Sequence, residues 1–412
     1  MGCISQRVYM ALLAVAPILA VQPLALSQRV STRSAPAKTY KVLHSFHGGT
    51  DGAAPWAGLI FDSAGALYGT TSGGGGSCFC GTVFKLDKNG KETVLYSFTG
   101  GADQGIPLAG LLRDSIGNLY GTTNGIFGTF GSVFQLSKTG NLTTLLAFNG
   151  EQEATPFAGV IRDGGGNLYG TTPGGYETAG TVFKLDRAGH ETLLHSFING
   201  GTGGGFPYSG VVRDAAGNLY GTLSSGGASV YGAVFKLDKK GSETVLYSFV
   251  GGRDGSSPLA GVVRDAAGNF YGTTYYGGGS RCGGSGCGIV FKLDATGTES
   301  VLHRFNGGAD GGHPGYGSLV QDAAGNLYGT TYNGGGTGCG GPGCGIVFKL
   351  DATGKETVLH RFTGATDGAN PYGGLVQDAV GNLYGTTLSG GDLSCSTSDG
   401  PGCGVVFKLT LR

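Results

Sequence analysis

Side chains able to act as acid, base or ligand are sparse in this chain, and those outside any repeating pattern are His47, His313, Glu151, Glu153, Glu177 and Asp392. A histidine beside a carboxylate is the minimal acid–base pair, which makes His313 and His47 the weak catalytic candidates. Their spacing forms no nucleophile–base or paired-carboxylate motif. Aromatic side chains offer a second chemistry, stacking on sugar rings or peptide side chains. Trp56, Phe157, Tyr208, Tyr316 and Tyr372 each stand three residues ahead of an apolar pair, where Leu108 and Leu259 hold the equivalent places. Tyr275, Tyr276 and Tyr332 lie in glycine-rich stretches, as do Phe79, Phe127, Phe130, Tyr176 and Tyr231. These eight, Trp56, Phe157, Tyr208, Tyr316, Tyr372, Tyr275, Tyr276 and Tyr332, are the candidate ligand-binding residues. Plugging gaps between structural units is the competing use for the Trp56 series.

Cysteines supply the third chemistry. Without Cys3, eight remain, and Cys282–Cys287, Cys339–Cys344 and Cys395–Cys403 are local pairs within glycine-rich loops. Cys78 and Cys80 are only two apart, so that bridge competes with other pairings. Zinc is disfavoured because no histidine lies near these pairs. Asp51, Asp254, Asp310 and Asp367 each precede glycine, with Asp103 in a related place. One carboxylate per loop is few for calcium, which takes six or more oxygens, so Asp-Gly turns are expected, with neither metal nor cofactor. Arg113, Arg162, Arg213 and Arg264 recur in a row and are each followed by Asp, which predicts local or inter-unit pairing.

Residues 1–27 read as a secretory signal, with Arg7 ahead of the apolar run Val8 to Val21 and small residues at Ala25 and Ser27. Residues 28–39 then form a linker. Export agrees with an even cysteine count and predicts a secreted, extracellular or periplasmic protein. The net charge is zero, and no basic tract offers an attraction to nucleic acid or anionic lipid. No membrane insertion is expected to outlast removal of the signal, and a monomer is expected.

Glycine supplies 87 of 412 residues, and its distribution is repetitive. Leu-Tyr-Gly-Thr, or a close variant, places Tyr68, Tyr120, Tyr169, Tyr220, Tyr271, Tyr328 and Tyr384 at intervals of 49 to 57 residues. Val-Phe-Lys-Leu types place Phe84, Phe134, Phe183, Phe235, Phe291, Phe348 and Phe407 in the same rhythm. Leu-His-Ser-Phe types give Phe46, Phe98, Phe148, Phe197, Phe249, Phe305 and Phe362. Seven copies of about 50 residues suit a β-propeller. Each copy divides into four short strands, A to D; in the second unit they are 109–114, 118–123, 132–136 and 143–148. Asp-x-x-Gly-Asn marks the A–B turn. A strand at 41–46 precedes the first full unit and a C strand ends the last, so the two should pair and close the ring. The expected fold is all-β: a seven-bladed propeller over residues 40–412.

The repeated Gly-Asn-Leu-Tyr-Gly-Thr-Thr, Val-Phe-Lys-Leu-Asp and Glu-Thr-Val-Leu-His-Ser-Phe stretches resemble the Gloeo/Verruco (GloVer) tandem-repeat family, with an NHL-like blade layout. That resemblance implies an exported bacterial protein of propeller-like fold and brings no catalytic residue set with it. The D–A and B–C loops share a face, and they hold the aromatic and cysteine residues named above. Strand-D histidines (His44, His195, His303 and His360) fall on the outer strand, away from any channel. The expected function is a non-enzymatic binding module whose loop face meets a glycan, a peptide or a cell-envelope protein. A propeller enzyme acting on polysaccharide, as lyase or hydrolase, is the alternative, and a purely structural surface protein the third reading.

Overall fold

The computed structural model describes residues 38–411, apart from 127, 152, 176–177, 199–202 and 399. The expected signal segment and most of the linker lie outside the described residues. Seven four-stranded antiparallel sheets form the blades of a propeller. Blades 1 to 6 span residues 60–97, 112–147, 161–196, 212–248, 263–304 and 320–361. In blade 7, strands A to C are Val376–Gln377, Leu383–Thr387 and Val405–Thr410, and Thr39–Ser45 supplies strand D. Its register runs from Thr39 opposite Thr410 to Ser45 opposite Val405, so the ring closes as the repeat order demands. This strand begins two residues ahead of its expected start at 41.

Within a blade, strand pairing explains why the sequence markers travel together. Gly69 of strand B stands opposite Phe84 of strand C, and a Cβ on Gly69 would meet the Phe84 ring at 2.6 Å. The same pairing recurs in every blade, from Gly121 with Phe134 to Gly385 with Phe407. Only glycine leaves the ring its seat. Tyr68 pairs with Lys85 on the other side of the sheet, and the Lys85 ammonium lies 5.4 Å from the Tyr68 ring. The Tyr68 hydroxyl donates to Asp62 in the A–B turn, whose carboxylate also accepts the Ala64 and Ala66 amides. Burial would raise these turn carboxyls, but hydrogen bonds outweigh it: Asp163, bonded by Asn167 and Tyr169 and near Arg213, is held down to about 2.

Between blades, the two phenylalanine series meet. Phe46 at the end of one strand D packs edge-on against Phe84 of the next strand C, with centroids 5.2 Å apart. Equivalent pairs cross each remaining seam at 5.1–5.5 Å. An edge-to-face pair contributes about 0.5–1.5 kcal/mol beyond its area. The arginines reach across the seams: Arg113, Arg162, Arg213 and Arg264 lie 5.7–5.8 Å from the tyrosine rings of the preceding blades, Tyr68, Tyr120, Tyr169 and Tyr220, and Arg213 and Arg264 also favour the charged carboxylates of Asp163 and Asp214 there. Each following aspartate holds the tyrosine and asparagine of its own turn.

Strand A is shorter than its expected span. In blade 2 only Leu112–Arg113 pair with strand B. The preceding Ala109 turns its carbonyl to the neighbouring blade, where it accepts the Thr70 hydroxyl at 3.0 Å. Thr122, Thr171, Thr222, Thr330 and Thr386 bond the next blade in the same way. Thr273 is the exception: its buried hydroxyl has no hydrogen-bond partner. From proline to the strand-A leucine or valine, blade 6 carries Pro314-Gly315-Tyr316-Gly317-Ser318-Leu319, one residue more than Pro371-Tyr372-Gly373-Gly374-Leu375 or any other blade. The extra residue moves the would-be acceptor away, and the Gly317 amide bonds the Tyr372 carbonyl instead. Thr222→Val should therefore cost about 1–2 kcal/mol by stranding a carbonyl, whereas Thr273→Val should be close to neutral. Urea melts of the two variants check this; equal losses would reject the broken ring.

Candidate functional site

The loop face is held together by one contact repeated at each seam. The residue before each blade's leading proline has a left-handed backbone: Ala54, Ile106, Thr155, Phe206, Ser257, His313 and Asn370, with φ between 49° and 60°. This region is costly for a side-chain-bearing residue, by roughly 1–3 kcal/mol. It turns the amide toward the preceding blade, where it donates to Cys403, Cys80, Phe130, Ala179, Tyr231, Cys287 and Cys344 carbonyls at 2.5–3.0 Å. The proline that follows packs on the glycine after that carbonyl; a Cβ on Gly345 would lie 2.7 Å from Pro371.

Four of those seven acceptors are cysteines. The three expected bridges, Cys282–Cys287, Cys339–Cys344 and Cys395–Cys403, are present, and Cys78 pairs with Cys80, the pairing that the spacing left open. Each bridge also lies against the first glycine of the adjoining D–A loop; a Cβ on Gly364 would meet both Cys339 and Cys344 sulfurs at 2.9 Å. The bridges thus brace B–C loops where the neighbouring blade hangs on them.

The proline also sets the aromatic series. Trp56, Phe157, Tyr208, Tyr316 and Tyr372 converge on the mouth of the central channel, each half-buried. Below them, Ala57-Gly58 and its counterparts leave a cavity of about 180 Å³. The longer segment of blade 6 carries Tyr316 across the axis. Its ring stacks on Phe157 of blade 3 at 6.1 Å, meets Tyr208 of blade 4 at 5.7 Å and Tyr372 of blade 7 at 4.8 Å. Trp56 packs edge-on to Tyr372 at 4.7 Å, and Tyr332 reaches the same ring at 5.5 Å. The insertion at Gly315 is the symmetry break that sequence reasoning missed; counting residues from proline to leucine in each repeat would have found it.

His313 joins this group rather than an acid–base pair. Its ring lies 4.9 Å from Tyr275 and 5.7 Å from Tyr276, and Asn333 bonds its Nδ1 at 3.3 Å. Burial lowers the His313 pKa, favouring the neutral imidazole. Burial likewise pushes the Tyr275 phenol up to about 12 and raises Tyr316 and Tyr372. The result is an uncharged surface of rings and hydroxyls over blades 5, 6, 7 and 1. Tyr276 is its most open ring, 40% exposed. Phe79 and Tyr231 are exposed elsewhere on the face, while Phe127, Tyr176 and Glu177 lie outside the described residues.

His47 does find carboxylates. Its Nδ1 lies 2.9 Å from Asp51 and its Nε2 3.7 Å from Asp392, so two of the non-repeating residues meet on the outer rim. The Asp51 hydrogen bond raises the His47 pKa despite slight burial. Glu153 is buried beside Glu191 of blade 3 and accepts the Thr181 hydroxyl, with Glu151 lining the same cavity of about 420 Å³. Burial and the Glu191 carboxyl raise its pKa well above the usual range. That partner is part of the repeated Glu-Thr motif, and its facing glutamate was not anticipated.

Fold and site define a propeller with a braced, aromatic loop face. Matches to the Gloeobacter/Verrucomicrobia repeat cover residues 30–178, 81–285 and 166–398, and the chain belongs to that family. No curated protein matches the sequence. Among solved structures, the chain is similar to a GH74 enzyme from Niastella koreensis, with 15% identity, a TM-score of 0.53, and coverage of 84% of this chain and 52% of that one. It is similar also to the extracellular domain of a candidate one-component system from B. thetaiotaomicron, with 12% identity, a TM-score of 0.52 and coverage of 89% and 39%. A gluconolactonase from Xanthomonas campestris aligns at 16% identity and a TM-score of 0.44 over 77% of this chain and 90% of its own. These likenesses extend to the fold alone.

Two carboxyls give the protein a testable pH response. Burial, and Asp254 nearby, push Glu299 up to about 7, in the same direction as Glu153. A carboxyl raised above its unfolded value of about 4.3 stabilises the fold fully below that pH and loses the contribution as pH rises through the folded value. Glu299→Gln with Glu153→Gln should therefore raise the melting temperature more at pH 8 than at pH 5. An equal shift at both would contradict the assignment.

Proposed function

We propose that this is an exported, non-enzymatic binding propeller whose loop face takes a glycan. The carrying observation is the uncharged cluster of Trp56, Tyr372, Tyr316, Tyr332, Tyr275 and Tyr276, with His313 among them. Neutral sugars present apolar ring faces edged by hydroxyls, which suit aromatic planes ringed by phenols and amides. Disulfides beneath the loops lower the ordering cost of binding. They also suit an oxidising compartment, as does the leader expected at 1–27. A peptide or envelope protein is the other occupant of the same face.

The enzyme reading has its own observation, Glu153, whose pKa is raised by burial and by the neighbouring Glu191 carboxyl. One experiment separates the two: the protein is incubated with a polysaccharide panel, and both retention and released sugar are recorded. Retention without release, weakened at least about tenfold by Trp56→Ala or Tyr276→Ala, supports the binding module. Sugar release abolished by Glu153→Gln, His313→Ala or His47→Ala would replace it with an enzyme. No retention by any polysaccharide would leave the peptide or structural role.

A further inference from the structure

Around the outer rim, three positions recur wherever strand D of one blade faces the next. After blades 1, 4, 5, 6 and 7, an imidazole or phenol on strand D is paired with an aspartate of the D–A loop and faces the start of the following strand D. At the seam after blade 1 only one carboxylate is present: Tyr96 donates to Asp103 Oδ2, and Leu142 stands where a second acid would. At the seam after blade 6, His360 bonds Asp367 at 3.2 Å, and Tyr40 stacks on the imidazole.

The seam after blade 5 holds His303, Asp310 and Glu356, and the seam between blades 7 and 1 holds the equivalent His44, Asp51 and Glu92; among the described residues only the latter three come close enough together to share one ion. His44 and Asp51, from the closing strand and the loop after it, face Glu92 of blade 1. Their ligand atoms all lie within 4.8 Å of one another. His44 Nε2 and Asp51 Oδ2 are 3.5 Å apart, and the imidazole nitrogen is buried without a hydrogen-bond partner. One Glu92 carboxylate oxygen, Oε1, is also buried and unpartnered. The His44 nitrogen and the Glu92 oxygen thus share a partly buried site with no lysine or arginine in ion-pair contact, while Asp51 Oδ2 also accepts the His47 amide and ring nitrogen. Groups so placed are unfavourable unless a shared positive charge satisfies them together.

We propose that His44, Asp51 and Glu92 bind a first-row divalent cation of the zinc type at the seam that closes the ring. Two carboxylates balance the charge of such an ion, and an imidazole nitrogen favours it over calcium or magnesium, which take oxygen. Tetrahedral zinc needs ligand atoms about 3.3 Å apart, which small side-chain rotations would reach from here. Three protein ligands leave a fourth position for water or a further side chain. The ion would tie the segment holding His44 and Asp51 to blade 1, independently of the aromatic face.

The test uses the full chain with intact disulfides, stripped by a chelator and dialysed against zinc or cobalt(II). The expected result is at least one equivalent bound, cobalt ligand-field absorption of a mixed nitrogen–oxygen site, and a melting temperature that rises with zinc and falls again on chelation. His44→Gln and the isosteric Glu92→Gln should each remove one equivalent or weaken it at least about tenfold, the scale set by losing even an indirect partner. Tyr96→Phe, at the corresponding place in blade 1, should leave binding unchanged. No stoichiometric zinc or cobalt in the native protein overturns the site. So does equal binding by native protein and Glu92→Gln, which carries the comparison if His44→Gln does not fold.

Discussion

The structure depends on the contact by which each blade holds the one before it. A residue in left-handed conformation ahead of proline points its amide sideways, and the preceding B–C loop must offer a carbonyl there. That loop can do so only with glycine next to the acceptor, because the proline ring occupies the space of a side chain. The backbone strain is held by the threonine hydroxyls and the edge-to-face phenylalanine pairs on the same seams. A blade alone has half of each contact. Stability is therefore a property of the ring rather than of its units.

Against this symmetry, the departures carry the functional content. One added residue in blade 6 opens the threonine ring at Thr273 and carries Tyr316 over the channel mouth. The channel is consequently lidded by rings, and the ligand-facing surface lies above it rather than inside. Cysteines occupy the acceptor position in blades 5, 6, 7 and 1, so the same arc that carries the open aromatics is also the cross-linked one. Cross-linking and recognition share these loops because both rest on the B–C segment.

Much of the fold could be read from the repeats, since Tyr68, Phe84 and Phe46 mark strands B, C and D by type and interval alone. The closing strand followed from strand order. What spacing could not convey was direction. Nothing in Arg113-Asp114 says that the guanidinium lies over a tyrosine of the preceding blade while the carboxylate stays in its own turn. Likewise, His47 and Asp392 are 345 residues apart by number (392 − 47) and meet only because the ring closes between them. The aromatic candidates were identifiable as a series, but their convergence needed the extra residue at Gly315, a difference of register that composition does not reveal.

Closure by Thr39–Ser45 against Val405–Thr410 also fixes an order of events during folding. The propeller's first strand has its partner in its last, so it must wait through synthesis of every intervening blade. Until then the growing arc exposes an unpaired strand edge at each end, the kind of surface that recruits other chains. Contacts of such long range form slowly. A protein built this way gains from being kept unfolded until the whole ring is available, and ring assembly then becomes a single late event rather than a blade-by-blade one.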